Sequence, residues 1–384
     1  MCPQNWPFTQ ALERELQQLD EQGLLRTLTT VDVVDGPIMR IKGKELVSWC
    51  TNDYLGLSQH PRLIRAAAEA AKRWGVGARA SRLLAGTTAL HERLEAALAN
   101  FFRAEAALVY ASGYLANLGT LTALLGPDDA VVIDRLAHAS LVDACRLSRA
   151  RLRVFHHNDP EHLRAVLSRL STARRRLVVT EGLFSMEGDT APLQALRDVA
   201  RRHGALVYVD DAHGVFASGA TGRGTPEVQG VAHEDFLYIG TLGKALGCQG
   251  GFVVGPRVLI ALLHNRARPF IYSTAMAPPV AGAALAALHL VQEHPAPRAR
   301  LARLVARLHA GRPGIASRSY IVPIILGSAS RAMKVSQQLW RRGHFAPAIR
   351  PPTVPAGTAR LRLSLSAAHT PQQIDDVCEA LSEA

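Results

Sequence analysis

The sequence predicts an α/β protein in which a large domain, built on a doubly wound and mostly parallel sheet, precedes a smaller α+β domain. Short apolar runs alternate with helical segments from about residue 106 onward, and the texture becomes Ala/Leu-rich and helical after Pro278–Pro279. Continuously apolar runs are typical of strands covered by helices on both faces. We therefore expect an N-terminal helix and extension over residues 1–50, a large domain over 51–278 and a small domain over 279–384.

Seven runs of four to six residues predict the strands of the large domain, and all seven should be covered on both faces. The runs are Ala107–Ala111, Ala130–Asp134, Leu152–His156, Leu177–Thr180, Ala205–Asp210, Phe236–Gly240 and Gly251–Gly255. Helical segments lie between many of them. One is expected to begin at Pro192 and to end before Gly204, because proline suits the first helical turn and glycine suits the end.

The two ends of the chain have their own patterns. Leucines recur at helical spacing within residues 11–27, and the Ala/Leu-rich helix after Pro278–Pro279 extends to about residue 310. Ala359–Ser366 alternates apolar and polar residues, which predicts a half-buried strand with Arg362 on its polar face. Thr370 and Gln373 form a capping box that begins a final helix.

Composition excludes several classes of function. The net charge is +12, but only five of the 44 basic residues are lysines and the arginines are spread along the chain, without the focused basic stripe of a nucleic-acid reader. No apolar stretch is long enough to span a membrane. The five cysteines (Cys2, Cys50, Cys145, Cys248 and Cys378) are scattered and include no C-x-x-C pair. We expect no metal site, no nucleic acid, no membrane and a cytoplasmic location.

Polar and ionisable residues follow the predicted strands. Ser112-Gly113-Tyr114, His138, Glu181 with Ser185, Asp210 with His213, and Thr241 with Lys244 each come after one run. In doubly wound sheets, ligands bind beyond the carboxyl ends of the strands. The sequence therefore predicts one site at this edge of the sheet.

These groups suit pyridoxal 5′-phosphate (PLP) chemistry. PLP enzymes need a lysine to form a Schiff base, a carboxylate to keep the pyridine nitrogen protonated, and donors for the phosphate. Lys244 lies in an apolar, glycine-flanked turn, Asp210 ends a neighbouring strand, and Ser112-Gly113-Tyr114 begins a helix whose free N–H groups suit a phosphate. Gly75-Val-Gly77 follows a helix rather than a strand, so a dinucleotide site there is not expected.

The chain resembles the α-oxoamine synthase family of fold-type I PLP enzymes from about Leu25 to its end. The motifs that carry the resemblance are Thr51–Leu57, Leu108–Asn117, His138–Ser140, Thr180–Asp189, Val209–Gly214, Thr241–Lys244, Ile271–Thr274 and Ala348–Arg362. The resemblance implies that Lys244 carries PLP and moves the substrate proton, and that Asp210 pairs with the pyridine nitrogen. It implies that His138 stacks on the ring, while His213 and Ser185 contact the phenolic oxygen.

The resemblance also implies where the phosphate and the substrates bind. Gly113, Tyr114 and Thr241 would hold the phosphate, with Ser273 and Thr274 reaching in from a second subunit of a homodimer. The residues implied at the substrates are Asn52 and Arg362 at the amino-acid carboxylate, His138 at the amino acid, and Arg26, Arg350 and Thr353 at the acyl-chain or product end. Many relatives have a glycine pair where this chain has Ala78-Arg79-Ala80, which places larger residues beside the acyl entrance.

Segment Ala348–Arg362 most resembles the branch of the family that works in biotin biosynthesis. It implies an acyltransferase that condenses L-alanine with a pimeloyl thioester of coenzyme A or a carrier protein, giving 8-amino-7-oxononanoate, CO2 and the free thiol carrier. Sister enzymes of the family that use glycine with acetyl-CoA, or that make 5-aminolevulinate or use serine with palmitoyl groups, are alternatives. An aminotransferase and a basic binding protein without activity are further alternatives.

Overall fold

The computed structural model describes residues 6–383, which pack as two units. The large unit comprises Asn52–Val305 and Ser366–Ala368, and the small unit comprises the other described residues. The predicted domain boundaries at residues 50 and 278 stay predictions. Cys2 lies outside the described residues.

The fourteen strands within residues 6–383 are as follows. They are β1 (Val33–Asp35), β2 (Ile38–Ile41), β3 (Lys44–Ser48), β4 (Ala106–Tyr110), β5 (Ala130–Asp134), β6 (Arg151–Phe155), β7 (Arg176–Glu181), β8 (Leu206–Asp210), β9 (Phe236–Thr241), β10 (Gly251–Gly255), β11 (Ile321–Gly327), β12 (His344–Phe345), β13 (Ala348–Ile349) and β14 (Ala359–Ser364). All seven strands predicted for the large domain are confirmed, with ends that differ by at most one residue.

The fourteen α-helices of the same described range are as follows. They are α1 (Thr9–Glu21), α2 (Pro61–Trp74), α3 (Ala89–Phe102), α4 (Gly113–Leu124), α5 (Ala139–Leu147), α6 (Pro160–Leu167), α7 (Leu193–Arg202), α8 (Thr225–Val228), α9 (Arg257–Arg266), α10 (Arg268–Ile271), α11 (Pro278–Glu293), α12 (Ala296–Gly311), α13 (Ala329–Arg341) and α14 (Pro371–Ser382). The helix predicted between Pro192 and Gly204 is confirmed, as is the capping box of Thr370 and Gln373 at α14.

The large unit is built on a seven-stranded sheet in the order β4-β10-β9-β8-β7-β5-β6. Strand β10 runs antiparallel to both neighbours, and the other pairs are parallel. Helices α4, α5 and α9 pack their apolar residues onto it, and the resulting core includes Leu108, Val179 and Ile239 from the strands. The predicted doubly wound, mostly parallel sheet is therefore confirmed.

One strand of this sheet departs from the prediction that all seven are covered on both faces. Strand β6 has Arg151, Arg153 and Val154 exposed. It lies at the end of the strand order, so it pairs with β5 alone and its side chains meet solvent.

The small unit contains two sheets, in the orders β1-β2-β3-β12 and β11-β14-β13. Strand β14 is buried along its whole length, so the prediction of a half-buried strand with a polar face is wrong. Its arginines bury their aliphatic stems and find local acceptors: Arg362 Nη1 donates to Ser364 Oγ at 2.8 Å, and Arg360 Nε donates to the Thr358 carbonyl at 3.0 Å.

Two helix predictions were too long. The N-terminal helix, expected within residues 11–27, ends at Glu21. Gly23, two residues later, adopts a positive φ of 65°, a conformation that is common just after a helix ends. The Ala/Leu-rich helix after Pro278–Pro279 is interrupted between α11 and α12, because Pro295 cannot continue the hydrogen-bond pattern of a helix. Within residues 6–383, no helix is both long and apolar enough to cross a membrane.

Candidate active site

The carboxyl ends of β7, β8 and β9 meet at one edge of the large sheet. Glu181 at the end of β7 is the register partner of Asp210 at the end of β8, and Asp210 is in turn the partner of Ile239 in β9. Lys244 follows β9 by three residues. The parallel topology therefore brings two carboxyl groups and a lysine together, as the strand-end argument predicts.

Asp210 is held in a fixed orientation although it is only 6% exposed. Its Oδ2 accepts a hydrogen bond from Asn117 Nδ2 at 2.7 Å, and its Oδ1 accepts one from the Ala212 N–H at 3.0 Å. Asn117 is fixed in turn, because Tyr208 donates to its Oδ1 at 2.7 Å. Its Nδ2 also contacts Ser140 Oγ at 2.9 Å. Strand alternation sends the neighbouring Asp211 the other way, as expected, towards Thr225.

A chain of hydrogen bonds leads from Lys244 into the core. Lys244 Nζ lies 2.7 Å from His213 Nε2, and His213 Nδ1 lies 2.6 Å from the Tyr54 hydroxyl. Tyr54 is fully buried and donates to Asn52 Oδ1 at 3.2 Å. Either ring nitrogen of His213 can carry the proton, so the direction of these two hydrogen bonds depends on the tautomer of His213.

Glu181 joins two segments that carry predicted site residues. Its Oε1 accepts from the His138 N–H at 2.7 Å, and its Oε2 accepts from the Ser185 N–H at 3.3 Å. Complete burial, and then the nearby Asp210, raise the pKa of Glu181 well above its usual value, while Lys244 opposes the shift. Desolvation lowers the pKa of His138, which favours a neutral ring.

The turn between β4 and α4 leaves room for an anion. Ser112 caps α4 by accepting from the Leu115 N–H at 3.2 Å. A side chain on Gly251 would come within 2.6 Å of the Gly113 Cα, whereas one on Gly113 would meet only Thr241, at 3.6 Å. The start of α4 offers free N–H groups and the positive end of a helix dipole at this point.

Three predicted phosphate contacts have other partners. The Thr241 hydroxyl donates to the Gly250 carbonyl at 2.7 Å, and the exposed Tyr114 donates to Asp143 at 2.7 Å. Thr274 pairs with Ser81 in an isolated bridge. Ser273 follows α10 in the same loop as Thr274.

The remaining predicted substrate residues lie in the small unit, apart from Asn52. Arg26 Nη2 donates to Thr353 Oγ1 at 2.9 Å, and Arg350 donates to the carbonyls of Gly23 and Leu25. All three predicted acyl-end residues line one open groove of about 1170 Å³, together with apolar residues of which Met333, Trp340 and Phe345 are the largest. Asp20, Glu21 and Asp32 also line it, so the groove combines an apolar lining with groups of both charges.

The segment Ala78-Arg79-Ala80 shows a backbone cost. Arg79 has a φ of 66°, in the left-handed region that favours glycine. Its side chain is exposed, so the chain adopts this conformation with a residue larger than glycine.

The site fits PLP on the charges it contains. Glu181, Asp210 and Asp211 are all buried, and Lys244 is the lysine close to Glu181. Buried carboxylates are costly unless a cation pairs with them, and the protonated pyridine nitrogen of PLP would supply such a charge at this edge. Within residues 6–383, no group of three or more His, Cys, Asp or Glu side chains is placed to hold a metal ion.

A lysine after β9, an acid at the end of β8 and a helix N-terminus after β4 define a fold-type I PLP-dependent transferase. A serine palmitoyltransferase from S. paucimobilis, solved with PLP and myriocin bound, has a TM-score of 0.92 at 34% identity, covering 98% of this chain and 96% of that one. Residues 44–381 match the model of the aminotransferase class I and II family, and the chain belongs to that family.

Proteins described as 8-amino-7-oxononanoate synthase are also similar to this chain. One from Anaeromyxobacter dehalogenans is 49% identical over 373 residues, which are 96% of this chain and 94% of that protein. The solved structure of one from Francisella tularensis has a TM-score of 0.76 at 27% identity, covering 88% of this chain and 97% of that one.

Sequence reasoning gave no individual role to Asn117, Tyr54 or Glu181. Asn117 is the last residue of the motif Leu108–Asn117. It lies one helical turn after Gly113, and this spacing is the one sequence signal that it faces the same edge of the large sheet. Tyr54 lies within the motif Thr51–Leu57 but reaches His213 across 159 positions of sequence. Only the folded chain brings them together.

His157 clamps the segment that carries Ser185 to the end of β5. Its ring contacts Asp134 Oδ1 and Asp189 Oδ2, both at 2.9 Å. Burial alone would lower the pKa of His157, but the two carboxylates outweigh it and raise the pKa to about 10. His157 is therefore a cation shared between the strand end and the segment.

His157→Gln should lower the free energy of unfolding near neutral pH by on the order of 3 kcal/mol, because both carboxylates lose their cation. The folded pKa lies above the unfolded one, so the stabilisation is complete below about pH 6.5 and fades as the pH rises towards 10. Urea unfolding at a series of pH values checks this, with the exposed neighbour His156→Gln as control. The same decline from pH 6.5 to 10 in His157→Gln as in the parent would contradict the assignment.

Proposed function

We propose that this enzyme condenses L-alanine with a pimeloyl thioester, releasing CO2 and the free thiol carrier and giving 8-amino-7-oxononanoate in biotin biosynthesis. The observation that carries the proposal is the Lys244–His213 contact at 2.7 Å beside the buried Asp210. The product is inferred from relatives of that description, which are 45–49% identical over nearly the whole chain.

PLP, when bound, supplies an electron sink that stabilises negative charge on the amino-acid Cα. Lys244 would bond to it and, once displaced by alanine, take the Cα proton on Nζ. His213 supports this role, because its Nε2 lies within hydrogen-bond distance of Nζ, at 2.7 Å. Asp210 would hold the pyridine nitrogen, and His138 would stack on the ring.

Other residues would fix the cofactor in place. Ser185 and His213 would contact the phenolic oxygen, and Glu181 supports Ser185 by binding its backbone N–H. Gly113 would leave room for the phosphate at the start of α4. Tyr114 and Thr241 would join it by giving up their bonds to Asp143 and Gly250.

Alanine and the acyl group would be bound by arginines and amides. Asn52 and Arg362 would hold the alanine carboxylate, and a guanidinium group matches a carboxylate with two parallel hydrogen bonds. Arg26, Arg350 and Thr353 would bind the far end of the acyl chain. The apolar residues and the two guanidinium groups of the groove support a chain that is apolar along its length and acidic at its tip, although acidic residues also line the groove.

A second copy of the chain would complete the phosphate site with Ser273 and Thr274. The proposal is supported by exposed apolar side chains that are close to these residues in sequence or to their bridge partner Ser81: Val76 is 80% exposed, Leu84 82% and Tyr272 70%. Large exposed apolar side chains that cluster mark interfaces. Analytical ultracentrifugation should find a dimer that Tyr272→Lys weakens; a parent protein that is monomeric at micromolar concentration would contradict the proposed dimer.

The cytoplasmic location stays a prediction.

A sister reaction of the same family is the second candidate, because the serine palmitoyltransferase resembles this fold with a higher TM-score than the Francisella synthase does. Both reactions would use the same Lys244 and Asp210 chemistry. They differ in the amino acid and in the acyl chain. Products therefore separate them.

Mass spectrometry of products from alanine, glycine and serine, each paired with pimeloyl, acetyl and palmitoyl thioesters, tests the proposal. Coenzyme A and a carrier protein serve as separate carriers. We expect 8-amino-7-oxononanoate from alanine and the pimeloyl thioester in preference to every other pair. Preferred product from serine with palmitoyl, or from glycine with acetyl, would assign the sister reaction instead.

Lys244→Ala is the variant that ties the product to the site. It should give no detectable product and no borohydride-trapped cofactor, because the amine that bonds to PLP is gone. Lys334→Ala removes an exposed lysine of α13 and should leave both signals unchanged. Near-parental turnover by Lys244→Ala would refute the role.

A further inference from the structure

A crevice of about 490 Å³ in the large unit is rich in arginine. Arg103, Arg223 and Arg298 line it, together with the amides of Asn100 and Gln292, and no acidic residue lines it. None of these residues belongs to the Lys244 site. We name it the arginine crevice.

Arg298 is the most buried of the three arginines, at 8% exposure. Its Nη1 donates to the Val291 carbonyl at 2.8 Å and its Nη2 to the Ala220 carbonyl at 3.2 Å. Its Nε is buried without an acceptor among the described residues. Burial lowers the pKa of Arg298, and Glu227 only partly opposes this shift. A buried donor without an acceptor is costly, so Arg298 has hydrogen-bonding capacity at the crevice that the described residues do not use.

Arg223 shows the same feature independently. Its Nε is also buried and has no acceptor in the part of the chain that the structure describes. The neighbouring carboxylate of Glu227 is committed to the loop: it accepts from the Arg223 N–H and from the N–H and hydroxyl of Thr221, all at 2.9 Å. Arg103 adds a third, exposed guanidinium at the end of α3.

We propose that the arginine crevice binds the phosphate groups of a small molecule of the diphosphate class. Guanidinium groups bind phosphate oxygens with parallel hydrogen bonds, and three positive charges are balanced better by a diphosphate than by one carboxylate. The crevice volume lies in the range of small-molecule sites. Phe101, which also lines it, gives an apolar surface for an organic group on the phosphate. The proposal does not depend on the proposed reaction.

Calorimetric titration of the PLP-loaded full chain with inorganic diphosphate, and separately with adenosine 5′-diphosphate, tests the proposal. Loading with PLP keeps the probes out of the cofactor's own phosphate site. We expect saturable binding that Arg223→Gln and Arg298→Gln each weaken at least tenfold, because each removes a charge-assisted hydrogen bond. Tighter binding of the nucleotide than of diphosphate would identify an organic phosphate as the ligand.

Arg303→Gln is the matched control, because it removes the same charge from an exposed position on α12, the helix that carries Arg298. It should bind both probes as the parent does. If Arg298→Gln does not fold, the exposed Arg103→Gln and the loop variant Arg223→Gln decide the matter. No saturable binding by the parent, or equal binding by Arg223→Gln, Arg103→Gln and Arg303→Gln, would overturn the proposal.

Discussion

Burial of three carboxyl groups at one edge of the large sheet is the constraint on which the rest of the site depends. Glu181, Asp210 and Asp211 end or follow two neighbouring parallel strands and are at most 6% exposed. Acidic side chains buried this closely must be protonated, hydrogen-bonded or paired with cations. Burial raises the pKa of Glu181, hydrogen bonds from Thr225 and Tyr238 hold Asp211, and under our proposal the ring nitrogen of PLP pairs with Asp210.

The residues around Asp211 show how this constraint determines the sequence near the site. Burial raises its pKa to about 6, although Thr225 and Tyr238 bind it and oppose the shift. A side chain on Gly182, Gly214 or Gly224 would come within 2.0–2.2 Å of its carboxylate oxygens. The glycines near His213 and Glu181 therefore make room for a structural carboxylate. Asp210, by contrast, is bound by Asn117 and Ala212 and lies beside the PLP site.

Periodicity predicts the large sheet well, because the buried strands of a doubly wound core are continuous apolar runs in the sequence. It fails where burial depends on distant parts of the chain. An apolar run cannot reveal that β6 is an edge strand, and alternation in β14 cannot reveal that both faces are buried. Strand-end reasoning finds Asp210, His213 and Lys244, since topology brings strand ends together. Asn117 reaches the same site from a helix face, and its role follows only from packing.

The central claim is that a ring nitrogen supplies the cation that pairs with Asp210. The most direct measurement is the nitrogen NMR shift of PLP labelled with ¹⁵N in its ring, bound to the parent enzyme, Asp210→Asn and Asp211→Asn. We expect the ring nitrogen of PLP to be protonated in the parent and in Asp211→Asn, and to lose its proton in Asp210→Asn. An unprotonated nitrogen in the parent, or an unchanged shift in Asp210→Asn, would contradict it.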